Sequence, residues 1–452
     1  MLKTGKIFML CGLGFLALSC ATRPEAYKHI DLAVSHNDFE AGIEAIKKGQ
    51  EGINPIYPEK NAVSLFLDKG LLEHYAGKYA DSSQSLQEAE RLIAEAYTKS
   101  ASAELASYIA NDNTKDYPGE DFEDIYINVF NALNYYNRGN IEGALVEIRK
   151  LTWSNGKLDM LGRKYANADS KAAERAMVQF AGIGFTSFPD LPRGKPVNFS
   201  NSALARYLGA LFYLGEGNTS SARIEFEQLQ TAFSANPNVY YFPFPQAAVD
   251  AQNVPEGKGR LNIISFTGLS PVKEEGLFSS IFPFFQNAVL WYPQFKLPQF
   301  VKRPSRISRI EVVIRGEDSF YLELLEDMGA VVEETYNARF GNLFFKTYIR
   351  TLLKYAAVDI AAAEAGRQKG EFAALLSAIA GMALADATEG ADIRMSRYFP
   401  EKAYIGGINL DPGTYTVTVN YYSRDGHIAS DEHHDVIIRM NRLNLIESIS
   451  LK

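Results

Sequence analysis

Four stretches of the first half of the chain repeat one pattern: an apolar run of helix length, a turn holding Gly or Asn, then a second run with small residues. Residues 63–92 carry it as Gly70, Gly77, Tyr79, Leu86 and Ala89. Residues 125–151 carry it as Ala132, Tyr135, Gly139, Ile141, Ala144 and Ile148, and residues 203–229 as Ala210, Tyr213, Gly217, Ala222 and Phe226. A weaker copy over 26–49 has Asn37, Phe39, Gly42 and Ile46. The small residue at the middle of the second run lets two helices approach closely. The aromatic after the turn fills the gap to the next pair. Each pair leaves an apolar face uncovered, so pairs must stack. The copies are not tandem, which predicts a helical domain with insertions and not a regular solenoid. A generic helical bundle whose turns contain Gly is the alternative.

These offsets are those of tetratricopeptide (TPR) helix pairs. Beyond Pro243 and Pro245 the pattern changes. Arg260–Phe266 and Ile307–Arg315 read as strands, the second by alternation of Ile307, Ile310, Val312 and Ile314 with polar residues. Between them, residues 277–304 are rich in Phe, Trp, Tyr and Pro and read as a buried irregular wrap or an exposed contact surface. Residues 318–386 read as helical, with Leu343–Ala363 as one helix and Glu371–Ala385 as another. The end is β again: Ile405–Leu410, the turn Asp411-Pro412-Gly413, Thr414–Tyr422, and a last segment over Asp435–Ile449. A polar break lies at 111–121, and a long connection with one short helix near 169–180 is expected within 153–200. The expected fold is therefore α+β, mainly α. A TPR-like helical-repeat domain occupies 20–245, and a mixed domain with a small β-sheet or sandwich occupies 246–452.

The first nineteen residues read as an export signal. Lys3 and Lys6 precede an apolar run, Ile7–Leu18, too short to span a membrane comfortably. Leu16-Ala17-Leu18-Ser19-Cys20 resembles a lipoprotein cleavage box, with Ala17 where Leu is usual, so Cys20 is the expected lipidation site. An ordinary signal peptide with Cys20 incidental is the alternative. Acyl chains at Cys20 would hold the protein on a bilayer. Ala21 and Thr22 follow, with no Asp beside the cysteine, which favours the outer membrane with the body facing the periplasm.

Composition narrows the function. At 46% hydrophobic and 22% charged, the chain is no disordered tail. A formal net charge of −8 argues against general nucleic-acid binding. Both cysteines, Cys11 and Cys20, lie in the first twenty residues, so the body has no thiol nucleophile, disulfide framework or zinc knuckle. The sequence holds no phosphate-binding G-x-x-x-x-G-K-[ST], no H-E-x-x-H and no G-x-S-x-G. The one dense group of metal-capable side chains is Asp431-Glu432-His433-His434-Asp435. On a strand His433 and His434 would point to opposite faces and could not easily share a metal, so a solvated loop before the last strand is the expectation and no metal or cofactor is assigned. Lys346, Arg350 and Lys354 recur every four residues on one predicted helix face. They read as salt-bridged to the acidic run Glu323, Glu326, Glu333 and Glu334 on a preceding helix, or else as an anion site.

Several stretches together resemble an uncharacterised family of TPR-like bacterial cell-envelope lipoproteins. They are Tyr117-Pro-Gly-Glu-Asp-Phe-Glu-Asp through Gly143-Ala-Leu-Val-Glu-Ile-Arg, then Gly268-Leu-Ser-Pro271-Val-Lys273 as a G-x-x-P-x-K element. Arg339 with Arg350 and Lys354 follows, then Ala391-Asp392-Ile-Arg394 as an A-D-x-R element and Leu410-Asp-Pro-Gly-Thr-Tyr as a late turn. The order of these pieces over 110–420 carries the resemblance; the Trp that follows A-D-x-R in the family is absent, with Tyr398 nearby. The resemblance implies envelope assembly and no enzymology. It marks Gly268, Pro271, Lys273, Arg339, Arg350, Lys354, Asp392 and Arg394 as motif positions. The expected role is that of a non-enzymatic, membrane-anchored adaptor for envelope proteins. A structural subunit of an envelope or secretion complex, with homo-oligomers, is the runner-up, and a glycan-acting enzyme with paired carboxylates comes third.

Overall fold

The computed structural model describes residues 24–101, 113, 115–168, 199–279, 284–286, 289–291, 294–369 and 390–452. Cys20, the helix expected near 169–180 and the segment Glu371–Ala385 lie outside the described residues. The fold is mixed α+β, about 48% helical and 25% strand.

Helices come first, and eight of them form four pairs: α1 (Lys28–Ser35) with α2 (Phe39–Gly49), α3 (Ala62–Tyr75) with α4 (Tyr79–Ala101), α5 (Asp121–Asn137) with α6 (Ile141–Thr152), and α8 (Ala203–Gly215) with α9 (Thr219–Ala235). Helix α7 (Lys157–Ala168) stands between the last two pairs, inside the stretch read as an irregular connection. One turn joins every pair. Asn37, Gly77, Gly139 and Gly217 take φ of 58°, 73°, 75° and 74°. Their N–H groups donate to the carbonyls of Val34, His74, Tyr136 and Leu214. The next N–H in each case donates to Ala33, Glu73, Tyr135 and Tyr213. This Schellman arrangement satisfies carbonyls that a helix end leaves unpaired. Asp38, Asn140 and Asn218 then cap the following helices by accepting from Ala41, Gly143 and Ser221 N–H.

The register continues into the second helices. Five positions past the turn residue stand Gly42, Ser82, Ala144 and Ala222, all small and buried. Nine positions past it stand Ile46, Leu86, Ile148 and Phe226, all buried. A Cβ on Gly70 would lie 2.8 Å from Leu86, so α3 and α4 meet there at a distance only Gly allows.

The second half opens with a short helix, α10 (Gln246–Asp250), and then strand β1 (Gly259–Thr267). Strands β2 (Leu269–Ser279) and β5 (Gln294–Arg303) pair antiparallel, as do the short β3 (Phe284–Gln286) and β4 (Val289–Trp291), so the described strands within 277–304 are regular and not an irregular wrap. Next come β6 (Arg309–Ile314), β7 (Phe320–Tyr321) and β8 (Glu323–Asp327). The helical reading of 318–386 is corrected here. Glu323–Asp327 pairs with the chain at 402–405, and the helix, α11 (Met328–Lys369), starts only after it. Last are β9 (Lys402–Leu410), β10 (Gly413–Ser423), β11 (Gly426–Ile438) and β12 (Asn444–Ser450).

Two four-stranded sheets result. The first has the order β12-β1-β9-β8 and the second β11-β10-β6-β7. Strand β1 is parallel to β12 and antiparallel to β9. All nine of its residues are buried. Leu261 and Ile263 join Val312, Val417, Val419 and Tyr421 in a core between the sheets. Ile264 and Phe266 point the other way into a larger core shared with the helices, where the Phe130 ring lies 5.2 Å from that of Phe266. The layers are thus helices, first sheet, second sheet, with the first sheet covered on both faces.

One buried charge pair pins the edge strand to the helices. His74 on α3 reaches Glu447 on β12 through Nε2 at 2.6 Å and Asn134 Oδ1 through Nδ1 at 2.7 Å. Acceptors face both ring nitrogens, as an imidazolium requires. Burial alone would lower the His74 pKa; the charge and hydrogen bond of Glu447, with Asn134, outweigh it and raise the value above 6.5.

Two predictions follow from these elements. No heavy atom lies within 4 Å of a Cβ placed on Gly139, so Gly139→Ala costs only backbone strain, about 1 kcal/mol. Gly139→Asn costs less, because Asn37 already holds that conformation in the first pair, while Gly70→Ala costs more through its clash with Leu86. Urea denaturation ranks the three, and equal costs for the two alanine variants contradict the packing account. Separately, Glu447→Ala leaves His74 buried without its partner and costs about 3–5 kcal/mol. Because the His74 pKa is raised, the wild-type contribution is full below about pH 6.5 and fades as pH rises through the folded value. Stability–pH curves of the wild type and Glu447→Ala should therefore converge on the alkaline side.

Candidate functional site

The break at Pro118-Gly119 delivers the chain to the N-terminus of α5. Gly119 takes φ of 78°, and Glu120 occupies the N-cap position. Its N–H donates to Glu123 Oε2 at 2.7 Å, one half of a capping box. The Glu120 carboxylate turns outward to meet Lys273 of β2 and Arg339 of α11, the latter at 2.9 Å. Lys273 is buried and also reaches the Arg394 carbonyl at 3.5 Å.

Arg394 belongs to the extended segment 390–401, which is largely buried although it joins no sheet before β9. Backbone groups in such a segment need partners, and side chains of the helices supply them. Glu123 Oε1 accepts from Ser396 N–H at 2.6 Å. Asp68 on α3 accepts from Ser396 Oγ at 2.6 Å and from Arg397 N–H at 2.7 Å. Asp31 on α1 takes Arg397 and Tyr398 Oη, both at 2.9 Å. Tyr75 donates to the Tyr398 carbonyl at 2.9 Å. Arg394 itself forks onto Asp392 with two bonds of 2.8 Å and donates to the Lys115 carbonyl at 2.7 Å. Phe399 then fills the space between Phe122, Tyr126 and Phe130.

The first helices of three consecutive pairs thus grip one strap of chain. Of the motif residues, Lys273, Arg339, Asp392 and Arg394 meet around the start of α5. Gly268, at φ of 64°, forms the bend between β1 and β2, and the buried Pro271 follows on β2, two residues before Lys273. Lys346 and Arg350 lie further along α11; Arg350 is eleven residues past Arg339, about 16 Å of helix. Arg350 is buried and donates to Thr347 Oγ1 at 3.5 Å, while the Lys354 side chain lies outside what is described. Three of the four expected acidic partners are engaged elsewhere, two of them on β8 and not on a helix. Glu323 caps α10 by accepting from Gln246 and Ala247 N–H, and Glu333 pairs with Lys302. Glu326 is buried among Tyr126, Ser202, Leu204 and Tyr240, all donating to it.

Burial sets the electrostatics. For Glu123, burial and then the Glu120 charge push the pKa up to about 8, against the pull of its hydrogen-bond donors. Asp68 rises to about 6 by burial, against Ser396, Tyr57 and Arg397. Asp392 goes the other way: burial would raise it, but the Arg394 fork holds it low. Three donors meet Glu123 and three meet Asp68, so their oxygens are engaged in holding the strap. His433 and His434 lie on β11 and approach Asp431 and Glu432 respectively, at 3.1 and 3.7 Å. Among the described residues no group of three metal-capable side chains converges.

Glu120, Glu123, Asp68 and Ser396 are central to this hub, yet they were not singled out as site residues. A signal existed for the first two: E-x-x-E directly after Pro-Gly marks a helix start. Nothing local marks Asp68 and Ser396, which meet across 328 residues. Compared with family models, with curated proteins and with solved structures, the chain shows no match to any of the three.

The pH response of the hub can be measured. Between its ordinary value near 4.5 and about 8, Glu123 is ionised in the unfolded chain but protonated in the folded one, so stability falls as pH rises through that window. Asp68 adds a fall between 3.8 and about 6. Glu123→Gln should make the fall above pH 6 shallower, where Asp68 no longer contributes and His74 still does. An unchanged slope in denaturation curves from pH 5 to 8.5 contradicts this.

Proposed function

We propose that this chain is a lipid-anchored, non-enzymatic protein of the bacterial cell envelope. It works as a protein–protein adaptor in outer-membrane or cell-wall assembly, with TPR-like helix pairs as its scaffold. The observation that carries the reading is the turn repeated at Asn37, Gly77, Gly139 and Gly217, with the same small and large buried residues at the same offsets after it. A set of like pairs builds a broad rigid surface, which suits binding of macromolecules more than catalysis. The saturated carboxylates of the hub favour a structural role for that acidic cluster over general acid or base work.

The inner face of the pairs is taken. Helices α1, α3 and α5 hold the strap and the first sheet, so the chain fills its own groove. Partners are therefore met by the second helices, where Val146 on α6 and Ile224 on α9 are 46% and 51% exposed, with Trp153 at the end of α6 57% exposed. Trp153 and Ile224 flank one open concavity of about 360 Å³. Tryptophan anchors of this kind dominate protein interfaces.

Crosslinking in membranes of the native organism tests the reading. The wild-type chain should capture a discrete set of envelope proteins, and Cys20→Ala should lose both the membrane fraction and the captures. Trp153→Ala with Ile224→Ala should lose captures while remaining membrane-bound and folded. Capture that is indifferent to both changes sinks the adaptor. A second reading, a structural subunit of a larger assembly, is favoured by the ribbon of β2 and β5, in which, among the described residues, each strand is paired on one side only. Stable homo-oligomers by light scattering in detergent would select it.

A further inference from the structure

The linker 304–308, the start of β9 and the β10–β11 turn enclose an open concavity of about 460 Å³. Arg306, Lys402 and Arg424 line it, above the buried side chain of Ile307. Arg306 and Arg424 are exposed, and no described carboxylate pairs with either guanidinium. Lys402 has one distant neighbour, Glu401, at 3.5 Å. Three cations facing one concavity repel each other, and the chain as a whole is acidic at −8, so this local excess of positive charge runs against its surroundings. The hydroxyls of Ser308 and Ser423 in the same wall already donate to the Tyr422 and Gly426 carbonyls. An incoming anion is therefore held by guanidinium and ammonium groups, whose forked donors match phosphate oxygens.

We propose that this notch binds a phosphate group, and that the phosphate belongs to a lipid headgroup. The second part comes from position. Arg397 stacks on the Tyr27 ring at 4.5 Å, and its carbonyl accepts from Arg303, three residues before Arg306. Cys20 precedes Tyr27 by seven residues, at most about 25 Å of extended chain. An acyl group at Cys20 would thus hold the notch close to the bilayer surface, and a headgroup seated in it would orient the anchored body. The lipid source rests on the anchoring proposed above; the phosphate site rests on the notch alone. Asp425 lines the same concavity with opposite charge and provides an internal control.

The unlipidated Cys20→Ala chain separates the two. It is floated with vesicles of phosphatidylcholine, with or without phosphatidylglycerol, and titrated calorimetrically with inorganic phosphate. Binding to the anionic vesicles should fall about fivefold for each of Arg306→Ala and Arg424→Ala, at about 1 kcal/mol per cation near a charged surface. It should rise for Asp425→Asn. These side chains are exposed, so unchanged melting temperatures accompany the expected result. Arginine-dependent binding of inorganic phosphate without arginine-dependent flotation overturns the lipid source and keeps a phosphate site. Flotation and calorimetry that are both indifferent to the two arginines overturn the proposal. Failure of the native chain to fractionate with membranes would instead strike the anchor and leave the notch result standing.

Discussion

Strand β1 offers no residue to water, and much of the remaining fold follows from covering it on two faces. The helices take Ile264 and Phe266; the second sheet takes Leu261 and Ile263. A strand buried on both faces gives up all its backbone solvation, so both of its edges must be paired as well. β9 meets one edge antiparallel and β12 meets the other in parallel. A parallel neighbour cannot come from a tight hairpin. It arrives from the far end of the chain and must be anchored there, which is the work of His74 on Glu447 and of Tyr136 Oη, accepting from Leu445 N–H. The helical half and the C-terminal strand thereby become parts of one core.

The strap over 390–401 solves a related problem by different means. It crosses the inner face of the helix pairs as extended chain without a ladder, so its N–H groups would be orphaned in an apolar groove. Glu123 and Asp68, from two of the first helices, accept from the Ser396 and Arg397 N–H groups, and Asp31, from a third, holds the Arg397 and Tyr398 side chains. These carboxylates are costly to bury, and the upward shifts of Asp68 and Glu123 record that cost. Glu120 then ties the strap's neighbourhood to the ribbon and to α11 by holding Lys273 and Arg339. The same cluster therefore fixes four elements that no secondary-structure ladder joins.

The helix pairs were legible because their information is local. Gly77, Gly139 and Gly217 announce turns, and the small residues past them announce close packing; each operates within about one turn of helix. The strands at 259–267 and 309–314 were legible for the same reason, through β-branched runs and alternation. The reading failed at 318–327, where Phe-Tyr-Leu-Glu-Leu-Leu-Glu-Asp has the apolar spacing of a helix. Pairing with β9 overrode that local preference, and Glu326 became a buried acceptor in place of a surface charge. Half of the hub, Lys273, Arg339, Asp392 and Arg394, was marked only as motif positions of the resemblance. Their shared acceptor was not, because an N-terminal glutamate looks like an ordinary cap.

Taken alone, the sequence determined where the chain turns, which residues are small enough for helices to touch, and that the second half alternates between strand and helix. These are properties of neighbours, set by φ preferences, side-chain volume and hydrophobic period. Only the tertiary structure decided that β12 returns parallel to β1, that residues 390–401 fill the groove of their own helices, and that Arg306, Lys402 and Arg424 share one concavity. Each of these joins residues about a hundred or more positions apart, or from separate elements. No local preference encodes them: they are settled by which arrangement buries the apolar faces while giving the strap's Ser396 and Arg397 N–H groups carboxylate acceptors.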